Sequence, residues 1–427
     1  MGRSAARRPA RRRAPAYLGR APRAGPRLDA AVPVVLNARA ATLACAWLAA
    51  VNARAPLLAL GPLLPLVIPD LHLSFTVAGL LGGLPLFLMG ATGLPGGWLT
   101  DRFGVRQLMI WGLGAITLAG VIRALAPTDV VFLAGAILLG LAIGTMQPAL
   151  PRVARDTLPQ RTTLATAIYF NGLVIGGAGG VALTPLLLSV VGSWRGVLLA
   201  WAVVGAVAAA GWIALRSTRQ SDLHRGRLRF ADITQALELP GMAALTLAMA
   251  TQSAIFYTFS SWAPTYLVAR GWDVASAALP VAALPLTSIV ASGLAAPAEM
   301  RFGRRAVIGA SGLVVALGLL VFLIWPDQTV LLCGITAGLG TTLAFSVCLA
   351  APAAVAPAQR VGITAGVLLA LGYAGSAIGP VAIGGLRDAF GSYEVGWLLV
   401  LGLALVLIAA AFGIPGRSPD RPPPDQV

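Results

Sequence analysis

Lysine is absent from this chain, and charged residues of any kind make up only 11% of its 427 residues. With 58% hydrophobic residues and a mean hydropathy of +0.84, that scarcity describes a polytopic membrane protein. All 31 basic residues are arginine. They sit mainly in an N-terminal tail and in short loops, so the formal net charge of +16 reports membrane topology and implies no nucleic-acid partner. Cysteine is nearly absent. Cys45, Cys333 and Cys348 stand singly in apolar segments, without metal-ligand spacing or a disulfide framework, and read as small apolar residues. His72 and His224 fall in loops on opposite sides of the expected membrane. No nucleophile motif, metal motif or nucleotide-binding loop accompanies them, so an enzyme is not expected and no catalytic residue, metal or cofactor is assigned. None of the 15 acidic residues lies mid-way along an apolar segment. Proton-coupled export of a cation generally needs a buried carboxylate, which this chain does not offer.

What the chain does have is twelve apolar segments of spanning length, at 41–67, 74–99, 107–126, 130–153, 163–191, 196–215, 242–269, 276–298, 306–325, 329–351, 364–386 and 395–412. The expected fold is all-α and integral to the membrane, with twelve transmembrane helices in two pseudo-symmetric six-helix bundles. Residues 1–40 form an Arg-rich tail expected to be disordered and cytoplasmic, with no signal peptide. Residues 41–215 are the N-terminal bundle, 216–241 a polar linker, 242–412 the C-terminal bundle and 413–427 a second tail. With the tail inside, 26 arginines fall on the inner side and four outside, namely Arg123, Arg195, Arg270 and Arg387. The positive-inside rule then puts both termini in the cytoplasm of a multi-pass cell-membrane protein.

The remaining arginine, Arg54, lies inside the first segment, close to Asn52, Pro56, Pro62 and Pro65. At 1.5 Å per residue it is roughly 20 Å into a core of about 30 Å, too deep for easy snorkelling. An isolated cation there costs about 2.5 to 3.5 kcal/mol on insertion scales, so something must compensate it. Either it faces a cavity that receives an anion, or it pairs with a carbonyl or carboxylate. The same depth arithmetic brings Gln252, Tyr257 and Tyr373 near its level, where with Asn52 they would form one polar belt. Inter-helix packing is the alternative for the aromatics, and inter-helix hydrogen bonding for Gln252. The run Gly176-Gly177-Ala178-Gly179-Gly180 lies inside a span and reads as close helix packing.

The halves repeat. Arg102-Phe103-Gly104-Val105-Arg106 recurs 199 residues later as Arg301-Phe302-Gly303-Arg304-Arg305, Pro65 falls opposite Pro264, and Leu84-Pro85-Leu86 matches Leu284-Pro285-Leu286. A parallel repeat of six spans is a transporter architecture, with its site between bundles near the midplane.

Gly97-Trp98-Leu99-Thr100-Asp101-Arg102-Phe103-Gly104-Val105-Arg106 resembles the signature loop of the major facilitator superfamily. The resemblance implies a gating role for Gly97, Asp101, Arg102, Gly104 and Arg106, with Arg301 and Gly303 as the second copy. It also implies that Asp101 faces the N-terminal end of the eleventh helix, while Arg152 or Arg155 is a possible partner. Within the superfamily, three stretches resemble the cyanate and 2-nitroimidazole transporter (CynX/NimT) family. They are Asn52-Ala53-Arg54 with Gly61-Pro62-Leu63-Leu64, then Gln252 to Tyr257 with Trp262 and Pro264, and Gly372-Tyr373 with Gly379-Pro380, Gly385-Leu386 and Asp388. Ala55 stands where that family has proline directly after the arginine, and Thr145 where it has asparagine. The resemblance implies a secondary transporter for a small anionic or polar organic solute, working as a monomer, with Arg54, Asn52, Gln252, Tyr257, Tyr373 and Trp262 at the binding site. A drug or metabolite exporter is the alternative within the class.

Overall fold

The computed structural model describes residues 2, 28–215, 230–357 and 360–415. Twelve helices among them are long and apolar enough to cross a bilayer. They are α1 (Ala38–Leu58), α2 (Phe75–Phe103), α3 (Val105–Ala124), α4 (Asp129–Thr157), α5 (Pro159–Val191), α6 (Trp194–Ala214), α7 (Met242–Ala269), α8 (Val274–Phe302), α9 (Arg304–Ile324), α10 (Pro326–Val355), α11 (Val361–Phe390) and α12 (Glu394–Phe412). A short helix, Leu60–Asp70, continues the path of α1.

The helix that carries α1 begins at Leu28, so residues 28–40 are helical and not part of a disordered tail. The apolar stretch from Ala30 to Leu36 continues the helix backwards. Residues 3–27 of the expected tail, 216–229 of the expected linker and the C-terminal tail from 416 onward lie outside the described residues. The described part of the linker contains a short helix, Phe230–Leu237.

Four helices on the same side of the bundle start with a side-chain cap. Ser74 accepts from the Val77 N–H, Thr128 from Val131, Ser193 from Gly196, and Asp273 from Ala275 and Ser276. We call this side the capped end. The opposite side carries the two repeated turns and is called the loop end.

Packing within the two halves follows one pattern. In the first, α2 lies on α4, α3 on α4 and α6, and α1 on α5; in the second, α8 lies on α10, α9 on α10 and α12, and α7 on α11. The halves meet through α2 on α11, α5 on α8 and the α1 region on α7. The repeated turns match in backbone detail: Gly104 has φ 83° and ψ 156°, Gly303 φ 81° and ψ 157°. A positive φ of this kind favours glycine, which explains its place in both copies.

At the capped end the halves touch backbone to backbone. A Cβ added at Gly61 would lie 2.1 Å from the Ser260 carbonyl oxygen, and one at Gly83 2.7 Å from that of Ala377.

Candidate functional site

The site begins with a break in α1. Pro56 has no N–H to give to the carbonyl four residues back, and the chain leaves the helix at Ala53 and Arg54. Arg54 adopts φ −123° and ψ −43°, and its N–H reaches the Val51 carbonyl instead of completing an α-turn. The other side of α1 is fixed by α5. Gly172, Gly176 and Gly180 let the backbones approach so closely that a Cβ at each would lie 2.5, 2.5 and 2.6 Å from the carbonyl oxygens of Trp47, Val51 and Ala55. Tight packing on α5 and the break together hold Arg54 at the boundary between the halves.

Arg54 is 9% exposed. One terminal nitrogen donates to the Tyr257 hydroxyl on α7 and the other to the Tyr373 hydroxyl on α11 at 2.7 Å. Its guanidinium carbon lies 5.9 and 5.5 Å from the two ring centroids, within cation–π range. No carboxylate pairs with it among the described residues. The buried cation is therefore held by two phenol oxygens from the opposite half.

A cavity of about 780 Å³ runs from these three residues to the loop end. Gln252 and Ser253 line it beside the cluster. The Gln252 amide donates to the Met249 carbonyl at 3.1 Å. On another wall Thr342 donates to the Ser288 hydroxyl at 2.7 Å. Gly97, Asp101, Arg152 and Arg155 line the mouth from the first half, and Gly362 and Ile363 from α11. Phe75, Trp262 and Asp388, at the capped end, are not in the lining.

Two sequence-based expectations are corrected. Asn52 is fully buried but does not line the cavity; its amide donates to the carbonyls of Leu48 at 2.9 Å and Val204 of α6 at 3.5 Å. The helix ends between Asn52 and Arg54, so the two side chains need not share a face: Asn52 turns to α6 and Arg54 to the opposite half. Trp262 is also fully buried, and its indole N–H donates to the Pro380 carbonyl at 2.9 Å. Five residues beyond Tyr257, it lies about 7.5 Å further along the axis and packs with Phe75 and Tyr393 above the cavity floor.

In the signature loop, Asp101 pairs with Arg152 of α4. Asp101 and, from the start of α11, Gly362 and Ile363 line the same cavity. Arg102 stacks over Trp98 and Phe103 at 5.4 and 5.5 Å, and Arg106 donates to the carbonyls of Leu215 and Ile213 at 3.0 and 2.6 Å. Arg301 lies over Phe302 at 5.4 Å. In the second copy Glu299 pairs with Arg304 at 2.7 Å.

Sequence reasoning missed Ser253, Phe256, Phe170 and Ser288 in the lining. The first two were within reach: 252, 253, 256 and 257 share one face of a helix. Counted only as an outer-side arginine in the sequence, Arg123 is 1% exposed in the last turn of α3. There it donates to the Pro56 carbonyl at 3.1 Å and packs over Phe132 at 5.3 Å.

A two-bundle helical membrane protein, shut at one end and hollow from the other down to a buried cation, is built as a solute carrier. Residues 42–297 and 270–427 match the family described as Major Facilitator Superfamily, and the chain belongs to that family. It is similar to the cyanate transport protein CynX of Escherichia coli (strain K12), 29% identical over 369 residues that cover 84% of this chain and 94% of that protein. It is also similar to the 2-nitroimidazole transporter of the same organism, 26% identical over 364 residues that cover 83% and 89%. Among solved structures, a bacterial homolog of the human lysosomal transporter Spinster, inward-facing and occupied, aligns with a TM-score of 0.70 at 17% identity, covering 90% of this chain and 96% of that one. That likeness concerns the fold alone. The chain is thus a multi-pass membrane transporter and not an enzyme.

Proposed function

We propose that this protein moves a small anionic or polar organic solute across the cell membrane by alternating access, with Arg54, Tyr257, Tyr373 and Gln252 forming the binding site. One observation carries the reading. Each phenol oxygen accepts a hydrogen bond from Arg54, so each retains its own O–H to donate, and three of the five guanidinium N–H groups have no partner among the described residues. The cluster at the cavity floor therefore presents donors and a positive charge, which suits an anion. The names of the two relatives above, for cyanate and a nitroimidazole, support a small anionic or polar solute.

The proposed units are the bundles 41–215 and 242–412, joined by the linker 216–241. The arginine distribution supports termini in the cytoplasm, which makes the loop end cytoplasmic and this state inward-open. In that setting the Asp101–Arg152 pair and the loop turns act as the inner gate. The carrier works as a monomer in the bilayer and takes no nucleic acid.

The test is counterflow in proteoliposomes. Anions such as cyanate should exchange through the wild type and fail to exchange through Arg54→Ala that reconstitutes as a monodisperse protein. Equal movement of neutral or cationic compounds through both proteins, with no anion exchange, would overturn the reading in favour of a drug or metabolite exporter.

A further inference from the structure

The donors at the cavity floor account for only a small part of its wall. Much of the rest of the lining is carbon, with Phe170 and Leu173 from α5, Phe256 from α7, Phe345 from α10 and Leu369 from α11. All five are half-buried, with the remaining surface available to whatever fills the space. A triatomic anion bound to Arg54 would leave this wall unused and would face it with a side whose hydration nothing replaces. An anion with a polar head and an apolar body uses both regions, because covering carbon surface is favourable in proportion to its area. The cavity's size falls in the range of about 300 to 1,000 Å³ typical of pockets for organic ligands.

Charge and ring geometry narrow the class. Arg54 is the one cation lining the cavity below Arg152 and Arg155 at the mouth, among the described residues. A dianion would therefore leave one charge against carbon. The rings at the floor already form a packed series: Phe256 and Tyr257 are edge-to-face, 5.2 Å apart at 75°, and Tyr257 and Tyr373 are tilted, 6.5 Å apart at 58°. A flat ring extends such a series at spacings aromatic pairs prefer, and a flexible aliphatic chain does not.

We infer that the cargo is an aromatic monocarboxylate, its carboxylate on Arg54, Tyr257 and Tyr373 and its ring against Phe256 and Phe170. This rests on the anion site proposed above and narrows its occupant. The full chain, purified in detergent, is titrated with benzoate, acetate, cyanate, phthalate and the neutral isostere benzamide, and binding is read by thermal shift and calorimetry. Benzoate should bind at least about tenfold tighter than acetate, cyanate or phthalate, and benzamide should not compete. Phe256→Leu, which keeps an apolar side chain of similar bulk, should weaken benzoate more than acetate. Arg54→Gln and Arg54→Lys should both lose benzoate while keeping the wild-type melting temperature without ligand to within a few degrees. If cyanate or acetate binds as tightly as benzoate in an Arg54-dependent way, or Phe256→Leu weakens both equally, the aromatic assignment falls and the anion site stands. If no anion binds in an Arg54-dependent way, both fall.

Discussion

Asp388 of α11 caps the start of α2 in the opposite half at Thr76. One carboxylate oxygen accepts from the Thr76 N–H at 2.7 Å and its hydroxyl at 2.6 Å, and the other accepts from the Phe75 N–H at 3.0 Å. Helix N-termini favour negative charge, so the tie is both a hydrogen-bonded cap and a charge–dipole contact. It joins the halves at the capped end, so opening that end by parting α2 from α11 has to break it.

Asp388→Asn should therefore shift the carrier toward a state open at the capped end, by about 1 kcal/mol. In a background lacking Cys45, Cys333 and Cys348, a single Ser74→Cys should react severalfold faster with an impermeant thiol reagent when Asp388→Asn is added. Equal labelling rates would deny Asp388 this role.

Tyr373 and Asn52 should separate cleanly. Tyr373→Phe keeps the ring but removes the hydroxyl that accepts from Arg54, and should weaken anion binding by roughly 1.5 kcal/mol or more, a tenfold loss or greater, in calorimetry. Asn52→Ala removes bonds to Leu48 and Val204 and should cost about 1 kcal/mol of stability with the anion affinity unaltered. Loss of affinity in Asn52→Ala would return it to the site.

Closure at the capped end should depend on side-chain size at Gly83. A Cβ there meets the Ala377 carbonyl oxygen at 2.7 Å, whereas one at Gly114 meets nothing within 4 Å. Gly83→Val should abolish counterflow and raise thiol labelling at position 74, and Gly114→Ala should behave as wild type.

Asp273, which caps α8 from the loop after α7, should make stability depend on acid. Hydrogen bonds from Ser276, side chain and backbone, and from the Ala275 N–H hold its carboxyl below the ordinary value of 3.8. A lowered folded value means that the unfolded chain takes up the proton first as pH falls. The contribution is fully present above that ordinary value and is lost as pH falls through the lower, folded one. The melting-temperature difference between wild type and Asp273→Ala should hold steady from neutral pH to about 5 and shrink in stronger acid. A constant difference across the whole range would remove the charge from the explanation.

Much of this was legible in the chain itself. Apolar run length gave the twelve spans, because a bilayer leaves a backbone little choice but helix. Arg54 announced itself by the cost of its position, and Tyr257 and Tyr373 by depth. Rotation was harder to read. Whereas Trp262 lies beyond the site by more than a helical turn, Asn52 shares the right depth with it yet donates to Leu48 and Val204, and depth counting says nothing about the direction in which a side chain points. The break at Ala53 and Arg54 compounds this, since it resets the helical phase. The Asp388 cap joins residues 312 apart in sequence, and no local pattern encodes such a pairing. The burial of Arg123 was not legible, because the Pro56 carbonyl and Phe132 ring that receive it come from other helices.

Gly104 and Gly303 hold one backbone shape to within a couple of degrees, while the chemistry around them has diverged. Asp101 is kept in the first turn, where Arg152 pairs with it, and Met300 stands at its counterpart in the second. The shared shape needs only a glycine at the positive φ, which leaves the side chains around it free to differ. The two turns are thus equal in backbone and unequal in charge: an exchange of the two would preserve the shape and move the carboxylate that pairs with Arg152 to the other half.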